Sequence, residues 1–190
     1  MLETTQGHLG GYVVGGPDAR TICKELWSFF LTELGCNSAL DIGCGLGYTV
    51  EMWRLLGFRR VRGIDGSAEA IQGKQDLLLH DYTKGPLTSN PFDLVWSAEF
   101  VEHVEEQYMP NFMETINSAA PYYLAITHAV PGQTGHHHVN CQPSSYWIEA
   151  VQQHAGMRYC KHLTKLCREL AMAKIGEGYF FYQTGLVFCR

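Results

Sequence analysis

No stretch of the chain approaches the ~18 consecutive apolar residues of a membrane span, and the amino terminus lacks a basic, then apolar, signal profile. The protein is therefore expected in the cytoplasm and off the membrane. Basic residues are sparse: 14 Lys and Arg stand against 19 Asp and Glu, and Arg59, Arg60 and Arg62 form the densest cluster. A surface that tracks phosphates needs more positive charge than that, so nucleic acid is not an expected partner. The seven cysteines, at 23, 36, 44, 141, 160, 167 and 189, include no Cys-x-x-Cys pair. This scatter argues against a disulfide framework or a zinc ribbon and reads as reduced core and surface thiols. Neither an internal repeat nor a low-complexity tract is present. What remains is a composition 46% hydrophobic and 17% charged over 190 residues, that of one soluble domain spanning 1–190.

Apolar periodicity orders the elements. Asp18 can cap a helix through Ile22, Cys23, Leu26, Trp27, Phe30 and Leu34, stopped by Gly35. Strand Ser38 to Ile42, helix Tyr48 to Leu56, strand Val61 to Ile64 and a brief helix from Ser67 to Ile71 follow. Leu77 to Leu79 and Phe92 to Trp96 read as strands, separated by the turn-rich KGPLTSNP. A helix from Val101 to Ala119 should break or restart at Pro110. Then come strand Tyr122 to Thr127, the loop AVPGQTGHHHVNCQP and a helix from Ser144 or Ser145 to about His154. From Met157 the pattern gives a strand, a helix over Leu163 to Ala173, and a β-prone end, GYFFYQTGLVFCR, that can close a sheet edge. Alternating β and α units predict an α/β fold of the Rossmann-like, doubly wound type. Its seven-stranded sheet would be mostly parallel with helices on both faces, and ligands would gather at the carboxyl ends of the strands.

The stretch LDIGCGLG, Leu40 to Gly47, fits that frame as strand, glycine loop and helix start. Without side chains at Gly43, Gly45 and Gly47 the main chain can turn sharply and approach a ligand, while the helix offers free amides. The dinucleotide fingerprint G-x-G-x-x-G is not matched, because the third glycine comes one residue too early. Asp65 ends the second strand, 24 residues after Asp41, and Asp81 ends the third. Acids at the ends of three successive strands around such a loop resemble the class I S-adenosylmethionine-dependent methyltransferases of the small-molecule type. LDIGCGLG, GIDGS, LLLHDYTKGPL and FDLVWSAEFVEHVEE carry the resemblance over about residues 18–130. It implies S-adenosylmethionine as cofactor. The loop of Gly43, Cys44, Gly45 and Gly47 would pass its methionine part, with Asp41 holding the loop and the amino group. Asp65, with Gly66 beside it, would take the ribose hydroxyls, and Asp81 with Tyr82 would edge the adenine. Ser97 to Glu99 would lie beside the sulfonium.

A sulfonium methyl is already activated, so an enzyme of this kind mainly aligns a nucleophile and keeps water out. Where a proton must leave, His103, His128 and His138 are the candidate bases, because imidazole titrates near neutrality. His128 directly follows the fifth strand and should face the substrate, whereas for His103 in VEHV a structural role is the better reading. The triplet His136 to His138 hints at a metal, but adjacent residues point in different directions and metal ligands are usually spaced, so no metal is expected. The glycine-rich GHLGGYVVGGPDA makes residues 1–17 either a lid or a frayed end. With no inserted recognition domain, no N-P-P-[YF] run and no basic face, the expected substrate is a small molecule, methylated on O or N, such as a sugar or another metabolite. The alternative is a catalytically silent fold of this type that binds cofactor or a partner.

Overall fold

The computed structural model describes residues 8, 9, 16–172 and 174–190. Seven strands form one sheet: β1 (Ser38–Ile42), β2 (Arg60–Asp65), β3 (Leu77–Leu79), β4 (Leu94–Ser97), β5 (Tyr123–Ile126), β6 (Arg158–Tyr159) and β7 (Leu186–Cys189). Their order is β3-β2-β1-β4-β5-β7-β6. The first five pair in parallel, and β7 runs antiparallel to both β5 and β6. The α-helices are α1 (Lys24–Thr32), α2 (Tyr48–Leu56), α3 (Ala68–Ile71), α4 (Met109–Ala119), α5 (Ser144–Ala150), α6 (Lys161–Ala171) and α7 (Tyr179–Thr184). The expected mostly parallel, Rossmann-like sheet is what the chain forms.

Side chains alternate across each strand, so the sheet feeds two cores. Leu40, Ile42, Val95, Leu124 and Ile126 pack with Phe112 and Ile116 of α4 and Trp147 of α5. Ala39, Leu94, Trp96 and Ala125 face the other way, against Trp27 and Phe30 of α1, Trp53 of α2 and Phe181 of α7. Trp27 meets both Trp53 and Trp96 edge-on, and Trp96 stacks on Phe181 with ring centroids 5.0 Å apart. Each such buried ring contributes on the order of 2–3 kcal/mol of transfer free energy. Two cores of this kind fix the sheet and present the carboxyl ends of β1, β2 and β4 as one edge, at the switch between β1 and β4.

Four expectations are corrected. Asp18 caps a 3₁₀ turn, Ala19–Thr21, and α1 starts only at Lys24. The Asp18 carboxylate caps that turn by accepting from the Arg20 amide at 2.9 Å, and Ile22, extended at φ −79° and ψ 125°, ends it before a regular helix can form. The helix expected from Val101 is two 3₁₀ turns, Val101–His103 and Glu106–Tyr108, before α4, whose first turn holds Pro110. In the β-prone end, Tyr179–Thr184 is helical, because burying Phe181 on Trp96 overrides local propensity. Its strand lies between β5 and β6 rather than at the sheet edge. Finally, Cys160 and Cys189 form a disulfide. They sit at the ends of adjacent antiparallel strands, a proximity that their 29-residue separation conceals. Helix α6 matches the expected one, whose last residue, Ala173, lies outside the described residues.

Candidate functional site

After β1 the chain doubles back through Gly43, Gly45 and Gly47, all left-handed, with φ of 78°, 51° and 76°. Glycine is required twice over at Gly43, where a Cβ would stand 2.3 Å from the Phe100 ring. At Gly47 it would meet Leu77 at 2.7 Å. The Gly43 and Cys44 amides donate to the Ile64 carbonyl at 2.9 and 3.0 Å. One Asp65 oxygen accepts from the Gly45 amide and the other from the Ser67 amide, each at 2.8 Å. Asp65 therefore clamps the glycine loop to the end of β2 and still has lone pairs free for a ligand.

Asp41 is buried, and desolvation together with the neighbouring Asp65 charge pushes its carboxyl up to about 8, opposed by a hydrogen bond from Thr49. Burial also raises Asp65, against its backbone donors. Burial works to raise Asp81 as well, but bonds from the Thr83 hydroxyl and amide, at 2.7 and 2.9 Å, and from His8 at 3.4 Å outweigh it and hold it low. Tyr82 lies buried beside it. Glu99 has a positive φ of 53°, its amide donates to the Thr127 hydroxyl at 2.7 Å, and that hydroxyl donates back to its carboxylate at 2.8 Å.

These groups line a cavity of about 460 Å³, within the usual range for small-ligand sites. Asp41, Gly43, Cys44, Gly45, Asp65, Gly66, Asp81, Tyr82 and Glu99 all border it, as do His103 and His138. Gly47 does not line it and instead opens α2. Ser97, expected beside the sulfonium, is instead buried, with its hydroxyl donating to the Ile42 carbonyl at 2.9 Å, so it ties β4 to β1. His128 is corrected too. It is 1% exposed, its ring nitrogens meet the Ser144 hydroxyl at 2.9 Å and the Ala129 carbonyl at 3.1 Å, and it does not border the cavity.

A second part of the cavity wall comes from two segments. The Glu102 carbonyl accepts from the Val139 and Asn140 amides at 3.1 and 3.0 Å, which docks the HHHVN loop on the 3₁₀ turn that carries His103. The rings of His103 and His138 then meet edge-on at 4.9 Å. Glu102, missed from the sequence, is fully buried, and neither carboxylate oxygen finds a hydrogen-bond partner among the described residues; nor does Nδ1 of His103. Burial and the Glu99 charge push Glu102 up to about 8, while burial and His138 push His103 down to about 4. The ligand-capable atoms of Glu102, His103 and His138 lie within 4.8 Å of one another. Thr49 and Phe100 were also missed, for both act through contacts made only by the fold. The adjacency of an acid and an imidazole in VEHV was the available signal for Glu102.

Of the amino-terminal segment, residues 1–7 and 10–15 lie outside the described residues. His8 and Leu9 border the cavity, His8 at Asp81 and the Leu9 carbonyl 3.3 Å from Nε2 of His136. Among the described residues no helix is long and apolar enough to cross a membrane.

Residues 40–118 match the family model described as "Methyltransferase domain". No curated protein matches the chain significantly. Among solved structures, a TehB-like S-adenosylmethionine-dependent methyltransferase from Corynebacterium glutamicum is 17% identical with a TM-score of 0.59, and 87% of each chain is covered. A S-adenosylmethionine-dependent methyltransferase from Archaeoglobus fulgidus is 19% identical with a TM-score of 0.54, covering 88% of this chain and 94% of that one. Human N-acetylserotonin methyltransferase, solved with S-adenosylmethionine, is 13% identical with a TM-score of 0.57, covering 88% of this chain and 50% of its own. At these identities the likeness speaks for the fold.

Proposed function

From the class I S-adenosylmethionine-dependent methyltransferase fold that this chain has, we propose that it transfers a methyl group from S-adenosylmethionine to a small-molecule acceptor. The transfer is to O or N, and a sugar or another hydroxylated or amine metabolite is the substrate class. The observation that carries this reading is one cavity lined by both the clamped glycine loop and a group of imidazoles.

The residues present fit the cofactor. Asp41 is a buried acid on the cavity wall, so an ammonium group placed there would restore the charged form that burial disfavours. Asp65 can accept from hydroxyls with its remaining lone pairs, and Gly66 lets a ligand lie close to the backbone. Asp81 and Tyr82 offer an acceptor and a ring edge farther along the same wall. S-adenosylmethionine, when bound, supplies an already activated methyl, so the chain's share is to bind, orient and exclude water. Of the three candidate bases, His103 and His138 border the cavity. His103 stays neutral at pH 7 because its pKa lies near 4, which makes it a weak proton acceptor.

Calorimetry with S-adenosylhomocysteine, against NADH as control, tests the cofactor. Micromolar binding and a raised melting temperature are expected, since a ligand of the native state alone stabilises by about 2.7 kcal/mol at 100 Kd. Stabilisation by NADH and none by S-adenosylhomocysteine would sink the reading. A metabolite screen with cofactor turnover as readout then separates an enzyme from a silent binder.

A further inference from the structure

We propose that Glu102, His103 and His138 form a binding site for one divalent transition-metal ion, with its open coordination positions turned to the cavity and an oxygen group of the acceptor as the added ligand. The site itself stands apart from the methyl-transfer reading, and only the nature of the added ligand rests on it.

Three observations carry the site. The first is the donor set. Two imidazoles and one carboxylate, with ligand-capable atoms within 4.8 Å of one another, are the ligands of zinc and of open first-row metal centres. Metal bonds of about 2.0–2.2 Å place tetrahedral ligand atoms ~3.4 Å apart, so a closure on the order of 1 Å, within side-chain adjustment, completes it.

The second observation is what these groups lack. A carboxylate 0% exposed with no hydrogen-bond partner among the described residues is costly unless it is protonated or paired with a cation. None of the described ion pairs involves Glu102. Nδ1 of His103 is buried and likewise unpartnered. A dication would answer both at once.

The third observation is the outer support of His138. Its Nδ1 lies 3.3 Å from the Gln133 carbonyl and 3.8 Å from the Cys141 sulfur; the carbonyl, which can only accept, favours the proton on that nitrogen and so leaves the Nε2 lone pair for a ligand, the arrangement of metal-bound histidines. Its neighbours are committed elsewhere, His136 to the Leu9 carbonyl and His137 to Glu105 at 3.2 Å. Because His103 and His138 border the cavity and Glu102 lies behind them, the open side of an ion held there faces the cavity. An acceptor hydroxyl that completed the coordination would be both positioned and made more acidic.

The test uses the full chain after dialysis against chelator, titrated with Zn²⁺ and Mn²⁺ by calorimetry, with Co²⁺ visible absorption reporting an N/O donor set. One equivalent of ion should bind, and His138→Ala, at a half-buried ligand, should weaken it by about 100-fold or more. Glu102→Gln, which mimics a neutral buried acid and so should stay folded, should lose binding as well. S-adenosylhomocysteine affinity, measured in parallel, should be unchanged in both variants. The proposal is overturned if the wild type takes up no ion, if both variants keep its affinity within a few-fold, or if His136→Ala removes binding instead. Metal uptake as expected with no S-adenosylhomocysteine binding would leave this site standing and sink the cofactor reading alone.

Discussion

The two walls of the cavity are finished to different degrees. On the glycine-loop side, acids are bonded by the chain itself: Asp65 by the Gly45 and Ser67 amides, and Asp81 by Thr83 and His8. At the His103 and His138 wall, Glu102 is fully buried behind the imidazoles with no partner among the described residues, and Nδ1 of His103 shares that state. Native proteins leave few buried polar groups unsatisfied, because each costs on the order of 1–3 kcal/mol. The acids of the first wall are therefore held by the chain before any ligand arrives, although the Tyr82 hydroxyl beside them is buried without a partner, whereas the acid of the second is completed only with one.

The largest expected effect breaks the finished wall. Asp65→Ala removes a charged acceptor and releases the Gly45 amide, so S-adenosylhomocysteine affinity should fall by about 2–4 kcal/mol, read by calorimetry. Zn²⁺ uptake at the other wall should not change. If both fall together, the walls are one cooperative unit and the contrast is wrong. Next is Gly43→Ala, which forces a side chain into a left-handed backbone and onto Phe100. It should cost about 1–3 kcal/mol in thermal unfolding, and a variant as stable as the wild type would mean that the loop relaxes easily.

The finished wall is also the one that was legible in the sequence. LDIGCGLG, Asp65 and Asp81 announce themselves because turns, strand ends and acids follow from local chemistry and spacing. The strands were legible through β5, since apolar alternation records which face each residue buries, and the strand expected from Met157 is β6. The other wall joins Glu102 and His103 to His138, which lies 35 residues beyond His103, and only the docking of Val139 and Asn140 on the Glu102 carbonyl brings them together. The adjacent histidines of the triplet do diverge, since one of three reaches the cluster, but its partners come from a turn expected to be a regular helix. The helix α7 and the Cys160–Cys189 bridge escaped for the same reason: both depend on contacts across the sheet.

Acidity gives a smaller and sharper probe. Asp41 is raised to about 8 in the fold, so its contribution to stability is fully present below the unfolded value near 4 and is lost as pH rises through 8. Melting of the ligand-free protein should show this loss, with a slope of at most ~1.4 kcal/mol per pH unit from this group, and Asp41→Asn should flatten it. Glu102, shifted in the same direction, leaves a residual slope. Bound S-adenosylhomocysteine, whose amino group is assigned to Asp41, should remove the Asp41 part in the wild type. An unchanged slope with ligand would take Asp41 out of the cofactor contact.

The smallest effect is expected one residue from the unfinished wall. His137 pairs with Glu105 at 3.2 Å, with side chains 23% and 34% exposed, so water already screens the contact and its net contribution is slight. His137→Ala should change stability by less than ~0.5 kcal/mol and leave both Zn²⁺ uptake and S-adenosylhomocysteine affinity as they were. The same substitution at His138 removes a ligand-capable nitrogen that lies within 4.8 Å of those of Glu102 and His103, and should weaken uptake by about 100-fold or more while sparing the cofactor. Two identical changes at neighbouring positions thus differ only in where the loop aims each ring. Equal effects from the two on metal uptake would show that the loop contributes its histidines collectively, and the division between a finished and an unfinished wall would no longer describe the cavity.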